Sequence, residues 1–264
     1  MKIGFYVNSA KAAAKAAQRP LAQKARALGL SVARDVRHAD VVIALGGDGT
    51  ILRAAHDLET ASILGFNLGS LGYLSAVGEE DFDSALAMLA GGAFKVSGRT
   101  MLEVAKPGGG TFTALNDTVI MREMSGHAAI LETKVNGAAA TKFMADGLVV
   151  ATPTGSTAYS LAAGGPVLLA DSPVFALTPI NPHALGTRSI VLNDDVRLSV
   201  TSRRRVNGVA EKIGVYADGE SVFKLGVDES VSISKCCRMA RFVELEGYDP
   251  YKVLSRNLGW NGGR

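Results

Sequence analysis

The sequence predicts an α/β N-terminal domain with a parallel sheet, followed by a mainly β second domain. Two textures along the chain predict it. Through residue 95, apolar runs alternate with helical segments, the pattern of a parallel sheet with helices on its faces. After Gly92, short strand-like runs separated by glycine or polar turns take over, and helical spacing returns only near the C-terminus. These shifts divide the chain into 1–95, 96–235 and a closing segment, 236–264, expected to return to the first domain.

Element by element, Lys2–Asn8 reads as a first strand. Ala10–Leu28 is an alanine-rich helix that Pro20 is expected to split or kink. Ala39–Leu45 is a buried strand, and Ile51–His56 the start of a helix. Ala61–Asn67 is a further strand, and Glu80–Leu89 a helix ended by Gly91-Gly92. In the second region, Arg99–Ala105, Phe112–Val119, Ala129–Val135, Ser189–Leu192, Val196–Thr201 and Ile213–Ala217 read as strands. Tyr251, Val253, Leu254 and Leu258 fall at helical spacing within Tyr248–Trp260.

Composition narrows the class. With 47% apolar and 20% charged residues, the 264-residue chain is globular with a full core. Net charge is +3, from 28 basic and 25 acidic residues, without a long basic tract, so nucleic acid is not indicated as a partner. The cluster Arg203-Arg204-Arg205, before Asn207-Gly208, reads as an exposed hairpin end. Cys236 and Cys237 are adjacent, which argues against a structural disulfide and for a reducing compartment. The N-terminus is too short and polar for a signal h-region. Gly164, Gly165, Pro166, Asp171 and Pro173 interrupt the longest apolar region, Ser160 to Leu177, so no simple membrane span is expected. The expected location is cytoplasmic.

The most informative segment is Leu45-Gly46-Gly47-Asp48-Gly49-Thr50. A strand–glycine turn–helix unit leaves backbone N–H groups at a helix N-terminus, where phosphate binds. Glycine lets the backbone approach a ligand closely. An acid beside a bound anion repels it unless it holds a metal or takes a proton from a nucleophile. That tension points to phosphoryl transfer. Asp48 and the turn Asn67–Tyr73 both fall at carboxyl ends of strands, where ligands of such sheets bind.

The run Asp146–Pro166 is the second unusual feature. A short apolar strand enters a Thr/Pro/Gly/Ser turn, then a short helix. Ser156 or Thr157 could cap that helix. The same hydroxyls, free N–H groups and Tyr159 also suit a polar planar ligand. G-x-S-x-G spacing is missing, so no hydrolase serine is indicated. Asn116-Asp117 offers an amide and a carboxylate suited to base and sugar edges, although alone such a pair is more often a turn.

Together these motifs resemble the bacterial NAD kinases, which phosphorylate the adenosine 2′-hydroxyl of NAD to give NADP. The resemblance is carried by Gly46–Thr50, Asn67–Leu74, Asn116-Asp117 and Asp146–Pro166. Leu177–His183, Asp218-Gly219 and Val253–Trp260 extend it, so that it covers the chain from about Ile43 to the end. It implies Asp48 as general base, with Gly49 near phosphate and Arg53 contacting the ligand. Asn116 would bind the adenine edge and Asp117 the ribose hydroxyls. Thr157, Ala158, Tyr159, Ser160, Leu161 and Ala162 would wall the adenosine, with Tyr73 near the base. Asp146 would face the nicotinamide half. It also implies NAD and ATP or polyphosphate as substrates, a divalent cation, Mg²⁺, and a homo-oligomer, dimer or tetramer. Met144 departs from the pattern. Many relatives place Arg or another polar group two residues before the aspartate, and a strand would put Met144 and Asp146 on one side.

The glycine–aspartate turn is shared with lipid kinases, a competing reading that lacks a basic amphipathic membrane face here. A non-catalytic dinucleotide-binding regulator is the third. Retention of Asp48 weighs against it, because pure binding gains from removing an acid beside phosphate.

Overall fold

Lys2–Val7 forms β1, the strand on which the first of two units is built (1–98 with 240–264). This computed structural model describes residues 1–8, 11–69, 72–75, 77–123, 126–204 and 211–260. Arg205 and Asn207-Gly208, with the hairpin end expected there, lie outside the described residues. After β1 come α1 (Ala12–Ala27), β2 (Ser31–Val32), β3 (Val41–Leu45), α2 (Asp48–Asp57), β4 (Ser62–Phe66) and α3 (Phe82–Gly91). The strands pair in the order β2-β1-β3-β4, all parallel. Both β3 and β4 are buried throughout, as their unbroken apolar runs require.

One core holds Ile43, Leu45, Leu64 and Phe66 of the sheet with Ala14, Leu21 and Ala25 of α1 and Phe82, Leu86 and Leu89 of α3. Gly92 ends α3 in the left-handed region (φ +74°), a conformation that favours glycine. Pro20 does not split α1, which runs unbroken through it. Proline removes one helix hydrogen bond, but Pro20 and Ala16, the residue whose carbonyl loses its partner, both stand on the exposed side.

The second unit, 99–239, is mainly β. In chain order its strands are β5 (Phe94–Ala105, beginning in the first unit), β6 (Thr111–Ala114), β7 (Asp117–Arg122), β8 (Ala129–Val135), β9 (Ala138–Ala145) and β10 (Gly147–Ala151). A 3₁₀ turn (Thr154–Thr157) and α4 (Tyr159–Ala162) follow. Then come β11 (Val174–Ile180), β12 (Ile190–Asn193), β13 (Leu198–Arg203), β14 (Ile213–Ala217), β15 (Glu220–Leu225) and β16 (Ser230–Leu245). One sheet is antiparallel, in the order β12-β11-β10-β7-β14-β15. The other pairs β9, β8, β13 and the first half of β16 antiparallel. Alternate residues of both sheets, among them Ile120, Leu131, Phe143, Leu148, Val150, Leu177 and Val215, share one core.

The tail of β16 belongs to the first unit, where Arg241 and Phe242 pair parallel with Ser62 and Ile63 of β4. The C-terminal helix α5 (Pro250–Leu258) opens on Asp249, whose carboxylate accepts the N–H groups of Tyr251 and Lys252. Gly259 (φ +67°) closes it. Among the described residues no helix is long and apolar enough to cross a membrane. Cys236 is buried, Cys237 is exposed, and both are free.

Candidate active site

Gly47 caps α2 and Asp48 is its first residue, which fixes the carboxylate where β3 gives way to the helix. That carboxylate is held from across the unit by the turn 72–75. Oδ2 accepts the N–H of Tyr73 (2.7 Å). Oδ1 accepts the N–H groups of Leu74 and Ser75 and the Ser75 hydroxyl, each at 3.2 Å. Such charge-assisted bonds are roughly twice as strong as neutral ones. Gly72 is needed for the approach, since a Cβ there would overlap the Asp48 carboxylate. Ser75 Oγ also accepts the Gly72 N–H (2.7 Å), and Asn257 of α5 donates to the Gly72 carbonyl (2.9 Å). The closing helix therefore pins the turn that orients Asp48.

An open cavity of about 450 Å³ lies beside it, lined by Tyr6, Val7, Asn8, Lys11, Gly47, Asp48, Gly49, Thr50 and Arg53. Gly49 and Arg53 line this cavity with Asp48. Tyr73 reaches the aspartate through its backbone. Its phenol is shifted up by burial first and the Asp48 charge second. Lys11 and Tyr6 were not anticipated. Tyr6 donates to Asp57 (2.5 Å), and burial followed by that contact pushes its phenol up to about 12. The cavity sets Lys11, Arg53 and the N-terminus of α2 around one carboxylate, an arrangement that suits phosphate.

In the second unit, β7 lies between β10 and β14, so three chain segments meet at its first residue. The Asn116 carbonyl accepts the Thr152 N–H (2.9 Å), and the Asp117 carbonyl accepts the Asp218 N–H (3.0 Å). Asp218 (φ +48°) follows β14 and turns its carboxylate back onto the 115–117 backbone. Oδ2 takes the N–H of Leu115 (2.7 Å), and Oδ1 takes those of Asn116 (2.8 Å) and Asp117 (3.1 Å). On the other side Gly155 packs so tightly against the Asn116 backbone that any Cβ would overlap it. A cavity of about 330 Å³ results, lined by Asn116, Asp117, Val119, Met121, Ala158, Tyr159, Tyr216, Asp218 and Gly219. Its floor is apolar and its rim carries an amide and two carboxylates, which suits a planar base with a hydroxylated ring.

The remaining residues named from sequence are dispersed. Thr157, Leu161 and Ala162 share the segment but do not line this cavity, and Thr157 Oγ1 donates to the Thr154 carbonyl (3.3 Å). Ser160 is fully buried, paired with Thr178 (3.0 Å). Ser156 caps no helix; it donates to the Pro153 carbonyl (2.7 Å) and accepts the Leu168 N–H (3.0 Å). Asp146 sits between β9 and β10, where Arg122 (2.7 Å) and Asn181 (3.0 Å) donate to it. The Arg122 bond, then that of Asn181, holds its carboxyl below the usual range. Because β9 ends at Ala145, strand alternation does not carry from Met144 to Asp146. Met144 is 43% exposed, so it is not core filler. Asp218, Tyr216 and Arg122 were missed as site residues, although Asp218-Gly219 was visible as a motif.

Asp117 is 5% exposed. Burial, then the Asp218 charge, pushes its carboxyl up to about 7, partly offset by the Tyr159 N–H. The unfolded chain loses this proton in the ordinary carboxylate range, whereas the native state keeps it to about pH 7. Stability should therefore fall as pH rises across that window. Asp117→Asn removes the titration. The melting temperature of the wild type relative to this variant should drop between pH 4.5 and 8. A difference independent of pH would show that Asp117 does not titrate there.

Comparison with known proteins adds the following. Residues 4–94 match the family described as ATP-NAD kinase N-terminal domain, and residues 115–245 the ATP-NAD kinase C-terminal domain. The chain is 39% identical to the NAD kinase of Symbiobacterium thermophilum over 225 residues, covering 83% of this chain and 78% of that one. It is 39% identical over 233 residues to the NAD kinase of Protochlamydia amoebophila (86% and 81% covered). Among solved structures, yeast NADH kinase complexed with NADH matches with TM-score 0.85 at 22% identity, covering 100% of this chain and 89% of that one. The NAD kinase of Archaeoglobus fulgidus in complex with ATP matches with TM-score 0.79 at 23% identity, covering 99% of each. Both structures share its fold.

Proposed function

The chain belongs to the NAD kinase family, and on that footing we propose that it transfers a phosphoryl group from ATP or another donor to the adenosine 2′-hydroxyl of NAD, with Asp48 as general base. One observation carries the base assignment. Among the described residues Asp48 Oδ1 takes three hydrogen bonds but Oδ2 only one, which leaves Oδ2 a lone pair for a hydroxyl proton. As the hydroxyl oxygen forms its bond to the transferred phosphorus, its proton passes to Oδ2, and the bond to the donor's leaving oxygen breaks. The N–H groups at the start of α2, with Lys11 and Arg53, receive the charge of the transferred group.

In this reading Asn116 and Asp117 take the adenine edge and ribose, with Ala158 and Tyr159 as the wall. Asp146, drawn up by Arg122 and Asn181, faces the nicotinamide half, and copies of the chain associate as a homo-oligomer. Mg²⁺ would neutralise charge on the donor's phosphates. Among the described residues no cluster of three or more His, Cys, Asp or Glu is grouped to hold a metal. Beside the glycine turn the chain offers the Asp48 carboxylate and the Thr50 hydroxyl. That donor set fits a cation carried chiefly by phosphate and water.

The test is product analysis. Purified protein with Mg-ATP and NAD should yield NADP, and with diacylglycerol no phosphatidate. Phosphatidate would favour the lipid kinase, and no product at all the binding-only regulator.

Tyr159→Ala checks the adenosine wall. Tyr159 is 40% exposed, so truncation should leave the melting temperature nearly unchanged. The KM for NAD should rise roughly three- to tenfold, the worth of one aromatic contact, with the KM for ATP unmoved. A parallel loss for both substrates, with a lower melting temperature, would make Tyr159 structural.

A further inference from the structure

The first unit holds a second, larger cavity, of about 800 Å³, that the mechanism above does not use. It exists because β2 is only two residues long. Ser31 and Val32 pair with Lys2 and Ile3, and beyond them β2 no longer covers the edge of β1. The opening runs along the edge of β1 that β2 leaves uncovered, between α1 and the segment 32–36. Phe5, Val32 and Val36 give it an apolar floor, and the segment 33–36 closes one side.

Its rim is cationic. Lys15, Arg19 and Arg26 come from α1 and Arg34 from the segment after β2. At about 100° per residue the three α1 side chains fall in one stripe, beside the face that buries Ala14, Leu21 and Ala25. None of the four is ion-paired among the described residues. The single acid of the rim, Asp35, is already held by Arg37 through both oxygens. Like charges gathered without counter-charges cost stability, and an anionic ligand relieves that cost.

The stripe is continuous with the candidate active site. Lys11, one helical turn before Lys15, lines the Asp48 cavity. We propose that this cavity holds the nucleoside end of a nucleoside triphosphate donor, whose phosphates run past Lys15 and Lys11 to the Gly47–Thr50 turn. The apolar floor takes the base, and its volume falls within the roughly 300–1,000 Å³ of small-molecule sites. The proposal rests on the kinase reading for the role of the ligand, and its test separates the two.

The full chain, with saturating NAD present to occupy the Asn116–Tyr159 cavity, is titrated with a fluorescent, non-hydrolysable ATP analogue. The variant Arg26→Glu/Arg34→Glu should bind it roughly tenfold more weakly or worse, the worth of lost charge-assisted contacts. Its melting temperature and KM for NAD should be unchanged, and Arg26→Gln/Arg34→Gln should show a smaller loss. In the wild type, ATP should displace the analogue more tightly than inorganic triphosphate does. Unchanged analogue affinity in the variants overturns the proposal. Equal displacement by triphosphate, equally weakened in the variant, also overturns it, since the cavity would then take any polyanion. Analogue binding that the variant loses, without NADP formation by the wild type, sinks the kinase reading and leaves the cavity assignment standing.

Discussion

Asp48→Asn should lower kcat about 10²–10⁴-fold, the usual contribution of a general base, while NAD still binds. The amide keeps the size of the carboxylate, and its oxygen can still accept from Leu74 and Ser75. Its NH₂ group, however, faces the Tyr73 N–H, so one donor meets another. Leaving such a donor unsatisfied costs about 1–3 kcal/mol, seen as a modest drop in melting temperature. Rate, NAD affinity and melting curve are therefore measured together. A variant that turns over near the wild-type rate removes Asp48 from the base role. One that loses rate and NAD affinity in proportion shows a collapsed turn rather than lost proton transfer.

The aspartate itself was legible in the sequence, because an acid among three glycines between a buried strand and a helix has few structural reasons to be there. The turn that holds it was legible only as a turn. That Tyr73, Leu74 and Ser75 aim their donors at Asp48 is a tertiary fact, set by the parallel β3–β4 pairing and the clamp of Asn257 on Gly72. The α/β-then-β division was readable because strand period and glycine spacing change near Gly92. The strands β2, β9, β11, β15 and β16 were not, and β6 and β7 read as the single run Phe112–Val119. Three consecutive alanines open β9, and alanine has little strand preference.

Asp218 shows why some site residues escape a single sequence. Asp-Gly between two apolar runs is a strong hairpin signal, and β14 and β15 do form that hairpin. The same aspartate also turns back to serve β7, which no local signal in the sequence shows. Tyr216 read as one more strand aromatic. Arg122 gave no signal at all, since its partner Asp146 lies 24 residues away.

Asp218→Asn should lower the stability of the second unit and weaken NAD binding together. Asparagine tolerates the positive φ of this position, so the backbone is spared. Its side chain cannot replace the carboxylate, because three N–H groups converge on two acceptor oxygens and the amide offers one. At least one buried donor is left facing an NH₂ group, at about 1–3 kcal/mol. For a chain of this size that is a fall of about 2–4 °C in melting temperature per kcal/mol. The loosened 115–117 backbone carries Asn116 and Asp117, so the KM for NAD should rise with it. One further readout separates this from general instability. Removing the Asp218 charge relieves the second cause of the raised Asp117 carboxyl, so the pH window in which stability falls should move toward ordinary carboxylate values. A variant that melts lower but keeps the wild-type window would show that the two carboxylates do not feel one another. One with an unchanged melting curve and an unchanged KM would show that Asp218 does not anchor the site.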